Sequence, residues 1–255
     1  MNRKIIKKQN NVEKINFMTY GDEVFSQAKK RILEEAEKFY SFKSIKGYGP
    51  EDMDDKFKEE FKDILSQKRI GGYGIWRPYI IKKELEKVEM NDFLIYCDAG
   101  CHLNSNGMKR FREYLEMLKN SDYGIISFQM HDQIEKWWST KEVFNYFEVD
   151  INSEIANSGQ YLDGILIMKK NEHLIKIIDL WMKAVYDKPE IFTDKFNEIN
   201  QHSFFKENRH EQSILSILRK IHGSEVIPRD ETFHPQPFGC KESLKYPIWA
   251  TRSKK

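Results

Sequence analysis

The sequence predicts an α/β fold in which helices cover both faces of a mostly parallel central sheet. Strand-like apolar runs alternate with amphipathic segments along the chain, and 255 residues are enough to bury a sizeable core. The strand-like runs are KINFMTY, YSFKSIK, FLIYC, YGIISFQ and GILIMKK. We expect one domain over residues 1–255, with a basic N-terminal tail at 1–13 and an irregular C-terminal tail at 235–255.

Helices are predicted where apolar residues recur at helical spacing. The first follows Gly21 and Asp22, and its apolar positions are Phe25, Ala28, Ile32, Ala36 and Phe39. After YSFKSIK, the segment GYGPED is predicted to turn into a second helix, with Met53, Phe57, Phe61 and Ile64 on one face. Pro78 suits the first turn of a third helix, which we expect to continue through Val88.

Three later segments complete the predicted alternation. MKRFREYLEMLKN is amphipathic, and the segment after GILIMKK carries Leu174, Ile178, Trp181 and Val185 on one helical face. RHEQSILSILRKIHG is predicted to be a helix that ends at Gly223.

Composition excludes several classes of protein. The chain is 40% hydrophobic and 32% charged, which is typical of a folded globular protein. The net charge of +2 gives no electrostatic reason to expect a nucleic-acid partner. No apolar run approaches the roughly 18 residues of a membrane span, and MNRKIIKKQNN lacks the apolar segment of a signal peptide. We therefore expect a cytoplasmic protein, with membrane contact at most peripheral and with the basic ends RKIIKK and RSKK as solvated tails.

An aspartate ends the apolar run FLIYC, where Asp98 is followed by Ala99 and Gly100. Asp98 could simply bond its own backbone in a turn. Alternatively, the strand carries Asp98 to the sheet edge where open α/β folds bind ligands. A zinc site built from Cys97, Cys101 and His102 is disfavoured because Cys97 belongs to a buried strand.

A glycine-rich loop, GGYG at 71–74, lies between Arg69 and Arg77 and just before the Pro78 helix. Guanidinium groups and helix N–H groups could converge there on an anion such as a diphosphate. The alternative is a tight turn that allows Trp76 to pack into the core.

The ordered motifs YGD, RIGGYGIWRPYII, NDFLIYCDAGC, NSGQ and RHEQS resemble glycosyltransferases with the GT-A fold. Within that fold they are most similar to small sugar transferases of bacterial surface polysaccharides and of large DNA viruses. The resemblance covers roughly residues 15–234. It implies a nucleotide-sugar donor, with UDP as the expected nucleotide, and a glycan or lipid-linked glycan acceptor.

The resemblance also implies a divalent cation, Mn or Mg, held by an Asp-x-Asp motif against the donor diphosphate. Asp98 matches the first aspartate, but Gly100 stands in place of the second. Either a distant ligand such as His234 or His102 completes the metal site with Asp98, or the metal is held weakly, or arginine and lysine groups replace the metal.

Site roles follow from the same resemblance. The residues implied to bind the donor are Thr19, Tyr20, Gly21, Arg69, Arg77, Asp98, Ala99, Ser158 and Gln160. Glu211 would orient sugar hydroxyls or act as general base, Gln212 would bond the sugar, and Asp163 would add a second carboxylate. Alternatively, Glu211 is a first-turn acid that is stabilised by the helix dipole and paired with Arg209.

Trp137 and Trp138 are the candidates for an acceptor platform, because flat aromatic rings match the apolar faces of sugars. At least one of them could instead belong to the core. Their polar neighbours Asp132, Glu135 and Lys136 favour exposure of one ring.

Two rival functions remain at this point. A nucleotidyltransferase would also need a strand-end aspartate, but TYGDEVF lacks the glycine-rich basic loop that such an enzyme uses. A non-catalytic glycan-binding scaffold is compatible with Gly100 and would bind glycan without nucleotide.

Overall fold

The computed structural model describes residues 14–233 and 238–255. The strands, in chain order, are β1 (Ile15–Tyr20), β2 (Ser44–Tyr48), β3 (Phe93–Asp98), β4 (His102–Leu103), β5 (Ile126–Ile134), β6 (Gly159–Tyr161), β7 (Ile165–Lys169), β8 (Glu225–Ile227) and β9 (Ile248–Trp249). The helices are α1 (Ser26–Phe39), α2 (Asp55–Glu60), α3 (Lys62–Leu65), α4 (Ile70–Tyr73), α5 (Trp76–Leu85), α6 (Met108–Lys119), α7 (Glu135–Trp138), α8 (Lys141–Tyr146), α9 (Glu154–Asn157), α10 (Glu172–Asp187) and α11 (Glu211–His222).

The central sheet has the strand order β2-β1-β3-β7. Strands β2, β1 and β3 are parallel, and β7 pairs antiparallel with β3. The predicted mostly parallel sheet is therefore confirmed. Register pairs Tyr20 with Asp98, so β1 and β3 end side by side at one edge of the sheet.

Alternation along the strands divides the core into two layers. Met18, Leu94 and Tyr96 face the layer that contains α5, α10 and α11, whereas Phe17 and Ile95 face the layer that contains α1 and α6. Helices thus cover both faces, as predicted. Continuing the alternation places the last residue of β3 on the α5 side of the sheet.

Smaller sheets flank the central one. β5 pairs with β6 and β8, and a bridge between Ile125 and Met168 joins this group to β7. β4 pairs with β9. Within the residues that the structure describes, no helix is both long enough and apolar enough to cross a membrane.

Two predicted boundaries were wrong. β2 begins at Ser44 and includes Gly47 and Tyr48, which were predicted to be part of a turn, because the parallel ladder to β1 extends through both residues. Helix α5 ends at Leu85, so Val88 lies in the following turn rather than in the helix. For β2, pairing with the neighbouring strand outweighed the local pattern. After α5, the backbone changes to i to i−3 hydrogen bonds, as in that from the Val88 N–H to the Leu85 carbonyl.

The C-terminal segment is more structured than an irregular tail. Residues 235–237 lie outside the described chain, but β9 forms a ladder with β4 further on. Beyond β9 the chain crosses the turn after β3. There the Thr251 hydroxyl donates to the Gly100 carbonyl at 2.6 Å, and the Ser253 N–H donates to the same oxygen at 3.0 Å.

Candidate active site

A cavity of about 690 Å³ opens at the edge of the sheet where β1 and β3 end. Its walls come from the turn after β1, the chain around α4, the start of α11 and the C-terminal segment. The charged residues that line it are Asp22, Lys68, Arg69, Arg77, Asp98, Asp163, Glu207, Arg209, Glu211, Arg252 and Lys254. Acids and bases from distant parts of the sequence therefore meet in one cavity.

Arg77 lies at the centre of the acidic side of the cavity. The residue is only 3% exposed, in the first turn of α5. Its Nη2 lies 2.9 Å from Asp98 Oδ1, and its Nη1 lies 3.0 Å from Glu211 Oε1 and also donates to Asp163 Oδ2. We call these four residues the arginine cluster. One guanidinium group therefore serves three carboxyl groups.

The arginine cluster carries too few positive charges for three ionised carboxylates. Burial raises the pKa of Glu211 well above its usual range; Arg77 opposes that rise, and the charge of Asp163 adds to it. Burial also raises the pKa of Asp98. Burial alone would lower the pKa of Arg77, but Asp163 and Asp98 raise it well above normal, so Arg77 stays charged. We therefore expect Glu211 to hold a proton at neutral pH.

Glycines of the GGYG motif bring backbone against Glu211. Residues 70–74 all have positive φ, including Ile70 at 52° and Tyr73 at 56°, so α4 is a single left-handed turn. Left-handed backbone costs about 1–2 kcal/mol for each non-glycine residue. A Cβ at Gly74 would lie 2.2 Å from the Glu211 carboxyl carbon, so the motif permits this close approach.

GGYG therefore forms the tight turn of the alternative interpretation, whereas anion binding at this loop stays a prediction. Trp76 is buried beside the turn, and its Nε1 donates to the Ile70 carbonyl at 3.0 Å. Arg69, at the start of the turn, pairs with Glu207 and lies 3.8 Å from Asp194. The Arg69 guanidinium, which was predicted to bind an anion, is therefore already paired with carboxylates.

Replacing Glu211 by glutamine should raise the melting temperature at pH 8 and leave it unchanged near pH 5. The pKa of Glu211 is raised in the folded state. Neutral Glu211 therefore contributes its full stability below the unfolded-state pKa of about 4.3, and this stability is lost as the pH rises through the folded-state pKa. Glutamine has the shape of a neutral glutamic acid and does not ionise, so the variant does not lose this stability as the pH rises. Melting curves at several pH values would measure it.

Glu207→Gln is the matched control with the opposite sign. The hydrogen bond from Arg69 lowers the pKa of Glu207, so its stabilisation is present at neutral pH and is lost on acidification. This control should therefore lower the melting temperature slightly at pH 8. A Glu211→Gln variant that follows the same trend as the control would show that Glu211 is ionised in the folded protein.

The chain does turn after β3, where the Cys101 N–H donates to the Asp98 carbonyl at 2.9 Å, but the Asp98 carboxylate does not bond its own backbone as the turn interpretation expected. Its Oδ1 accepts from the Tyr96 hydroxyl at 2.6 Å as well as from Arg77. The side chain is 42% exposed and lines the cavity. Strand alternation places Tyr96 and Asp98 on the same face, and this brings the carboxylate to α5.

The described residues do not fit a divalent cation. In the described part of the chain, no three His, Cys, Asp or Glu side chains are grouped so that they could hold a metal ion. Asp98 and the other two acids of the arginine cluster already bind Arg77. His102 pairs instead with Glu35, 2.8 Å away, and His234 lies outside the described residues. A metal at Asp98 and His234 stays a prediction.

Of the two cysteines near Asp98, Cys101 lines the cavity and Cys97 does not. Cys97 and Cys101 are buried in the apolar layer beside α1 and α6, and burial raises the pKa of both thiols. The sequence argument against a zinc site at these residues agrees with their positions.

The predicted donor-binding residues fall into two groups. Gly21 and Ala99 line the cavity, as does Tyr20, whose ring stacks on Trp76 with centroids 3.6 Å apart. Thr19 does not line the described cavity, because alternation along β1 turns its side chain to the opposite face, where it is fully buried.

Ser158 and Gln160 also lie away from the cavity. Ser158 follows α9, and its carbonyl accepts from Lys220 at 3.3 Å. Gln160 is fully buried, and its Oε1 accepts from Gln212, which does line the cavity. Gln160 therefore positions Gln212 from behind instead of reaching a ligand itself.

Trp137 and Trp138 do not line the described cavity either. Both are partly buried: Lys206 Nζ lies 3.9 Å from the Trp137 ring centroid, and the Arg209 guanidinium lies 3.9 Å from that of Trp138. The argument from polar neighbours was wrong for Glu135, which is fully buried against Lys220 at 2.9 Å.

Sequence reasoning missed several cavity residues, among them three cations. The alternative interpretation paired Arg209 with Glu211, but Arg209 donates to Gln133 at 2.7 Å, and Glu211 pairs with Arg77 instead. Arg252 and Lys254 belong to the basic end that was predicted to be solvated, yet both line the cavity. The basic run RSKK was the available signal, but nothing local indicated where that run would lie.

Comparison by sequence gives no relative: no protein-family model and no curated protein matches the chain. Comparison of folds does find similar proteins. A glycosyltransferase involved in glycosylation of the major capsid of PBCV-1 superposes with a TM-score of 0.50 at 11% identity, over 92% of this chain and 93% of that one. The bifunctional glycosyltransferase WbbM superposes with a TM-score of 0.50 at 8% identity, over 93% of this chain and 45% of that one. The chain has the GT-A glycosyltransferase fold that its sequence motifs predicted.

Proposed function

We propose that the protein is a glycosyltransferase that moves a sugar from a nucleoside diphosphate sugar to a hydroxyl group of a glycan. The observation that supports this most strongly is the cavity at the ends of β1 and β3, which combines acids and bases within a GT-A fold. Carboxyl and amide groups suit sugar hydroxyls, and guanidinium groups suit phosphates. Both kinds of group line this one cavity.

The arginine cluster and Gln212 form the proposed sugar end. Asp98 is its exposed member, and Oδ1 already accepts two hydrogen bonds, so Oδ2 is the oxygen proposed to accept from sugar hydroxyls. Glu211 Oε2 is buried without a hydrogen-bond partner among the described residues. A protonated Glu211 would donate rather than abstract a proton, which favours an orienting role over that of general base.

The nucleoside is proposed to bind where β1 ends. Tyr20 and Trp76 form a stacked pair there, and Gly21 and Asp22 continue the wall of the cavity. Because Tyr20 is only 7% exposed, the half-buried Asp22 is more open to a base than the Tyr20 ring face. UDP is the first nucleotide to test, and lipid-linked glycans should be tested as acceptors beside free glycans.

A panel of UDP, GDP, CDP and ADP should raise the melting temperature selectively. A ligand at 100 times its dissociation constant stabilises the folded state by about 2.7 kcal/mol. We expect one nucleotide to give the largest shift and its free nucleoside to give a much smaller one. Measuring each nucleotide with Mn and with EDTA adds a test of the cation.

No shift with any nucleotide, together with binding of glycans, would contradict the proposal and support the non-catalytic scaffold. Turnover is measured as release of the nucleoside diphosphate from the selected donor sugar in the presence of glycan acceptors. A nucleotidyltransferase would instead consume a nucleoside triphosphate and release pyrophosphate.

A further inference from the structure

The C-terminal segment packs closely against Gly100, where a second metal-binding aspartate would stand. A Cβ added at Gly100 would lie 3.1 Å from Arg252 Cα and 3.2 Å from the Ser253 carbonyl oxygen. Two hydrogen bonds, from Thr251 and Ser253, hold this segment on the Gly100 carbonyl. A side chain at position 100 would therefore be tightly packed against the segment.

This segment brings positive charge to the exposed carboxylate of the cavity. Arg252 lines the cavity with φ of 56°, an unfavourable backbone conformation for a residue with a side chain. Burial raises the pKa of Asp98, and Arg252 is one of the charges that oppose that rise. The residue that stands over Gly100 is thus a cation placed close to Asp98.

A second guanidinium, that of Arg209, lines the same cavity as Arg252. Burial lowers the pKa of Arg209, and the charge of Arg252 lowers it further, so the two groups repel each other. Arg209 donates to the neutral side chain of Gln133 and lies over the Trp138 ring. Lys254, also in the cavity wall, has its Nζ 5.8 Å from the centroid of the Phe25 ring.

These three cations differ from the other arginines of the cavity. Arg77 and Arg69 each have carboxylate partners. Within residues 14–233 and 238–255, Arg209, Arg252 and Lys254 form no ion pair within 4.0 Å. Positive groups that lack carboxylate partners and repel one another suit a multiply charged anion.

We propose that Arg209, Arg252 and Lys254 bind the diphosphate of the donor and supply the positive charge that a divalent cation supplies in Asp-x-Asp enzymes. Donor binding and transfer then need no divalent cation. The inference rests on the proposed function only for the identity of the donor, since a diphosphate site can be tested without any sugar.

The chemical role follows from where charge develops. When the anomeric C–O bond breaks, its electron pair stays on the terminal phosphate oxygen of the leaving diphosphate. The acceptor oxygen forms the new bond to the anomeric carbon, and its proton passes to a carboxylate of the cavity. Guanidinium and ammonium groups at the diphosphate stabilise the negative charge that grows there.

Calorimetric titration with inorganic pyrophosphate and with UDP, GDP, CDP and ADP tests the inference. In EDTA, the native chain should bind pyrophosphate and the selected nucleotide as tightly as it does in Mn. Arg252→Gln and Arg209→Gln should each weaken binding about 10- to 100-fold, as expected when a charged hydrogen bond is lost. Lys255→Gln, in the same segment but outside the cavity wall, should bind like the native chain.

Each other result counts against the inference. Binding that disappears in EDTA, or Arg252 and Arg209 variants that bind like the native chain, would overturn it, as would failure to bind pyrophosphate at all. Binding of pyrophosphate that depends on these arginines, without any nucleotide preference, would support the anion site and reject the proposed donor.

Discussion

Replacement of Arg77 by methionine is expected to lower the free energy of unfolding at neutral pH by about 3–5 kcal/mol, the usual cost of removing one partner from a buried ion pair. Arg77 is 3% exposed and serves Asp98, Asp163 and Glu211 at once. Methionine fills much of the same space but leaves three carboxyl groups without a cation. Urea unfolding at 25 °C would measure the loss.

The loss should also depend on pH. Arg77 opposes the raised pKa values of Asp98 and Glu211, so without the guanidinium both values rise further in the folded state. The stability of the variant is therefore greatest below their unfolded pKa values near 4 and falls as pH increases. The difference from the native chain should therefore be smaller at pH 5 than at pH 8.

Lys82→Met is the matched control for Arg77→Met. Lys82 lies on the same helix, and its ion pair with Asp179 is about half exposed on both sides. Exposed pairs contribute about 0–1 kcal/mol, so this change should have little effect. If the two variants lost equal stability, the arginine cluster would not have the central structural role that its geometry indicates.

Asp98→Asn is expected to reduce sugar transfer by at least about 100-fold, the scale on which preorganised polar groups contribute to catalysis. Asparagine keeps an oxygen for Arg77 and Tyr96 but removes the negative charge from the cavity side of the residue. The melting temperature should stay within about 4 °C of the native value. Release of nucleoside diphosphate from the selected donor would measure transfer.

Asp132→Asn provides the control for that experiment, because Asp132 is exposed on β5 and does not line the described cavity. It should transfer at the native rate. Full activity in Asp98→Asn would remove Asp98 from the proposed site, and a collapse of the melting temperature would assign it a structural role instead.

Much of the fold could be predicted because the relevant information is local. The unbroken apolar run FLIYC identified β3, and the alternation of side chains along a strand places Asp98 on one face at the sheet edge. The motif GGYG correctly marked a special backbone, but it did not indicate that Glu211, far along the chain, packs against Gly74. Local pattern located the feature without revealing what it contacts.

Glu135 and Arg252, which local sequence indicated to be exposed or solvated, also show that local pattern does not reveal contacts. Glu135 is surrounded by polar neighbours in the sequence, yet it is fully buried with Lys220. Arg252 belongs to a basic run at the end of the chain, yet it lines the cavity. Whether such a residue is buried depends on partners from distant parts of the chain, and the adjacent sequence does not identify them.

The sequence by itself determined the alternation of strands and helices, the GT-A-like fold and the position of Asp98 at the end of a central strand. Only the tertiary structure decided that Arg77 would bind three carboxyl groups and that residues 251–253 would cover Gly100. Periodicity shows which face a side chain occupies, but it cannot show which distant segment packs there. The Thr251–Gly100 contact joins residues 151 positions apart, and such pairings are decided only when the whole core assembles.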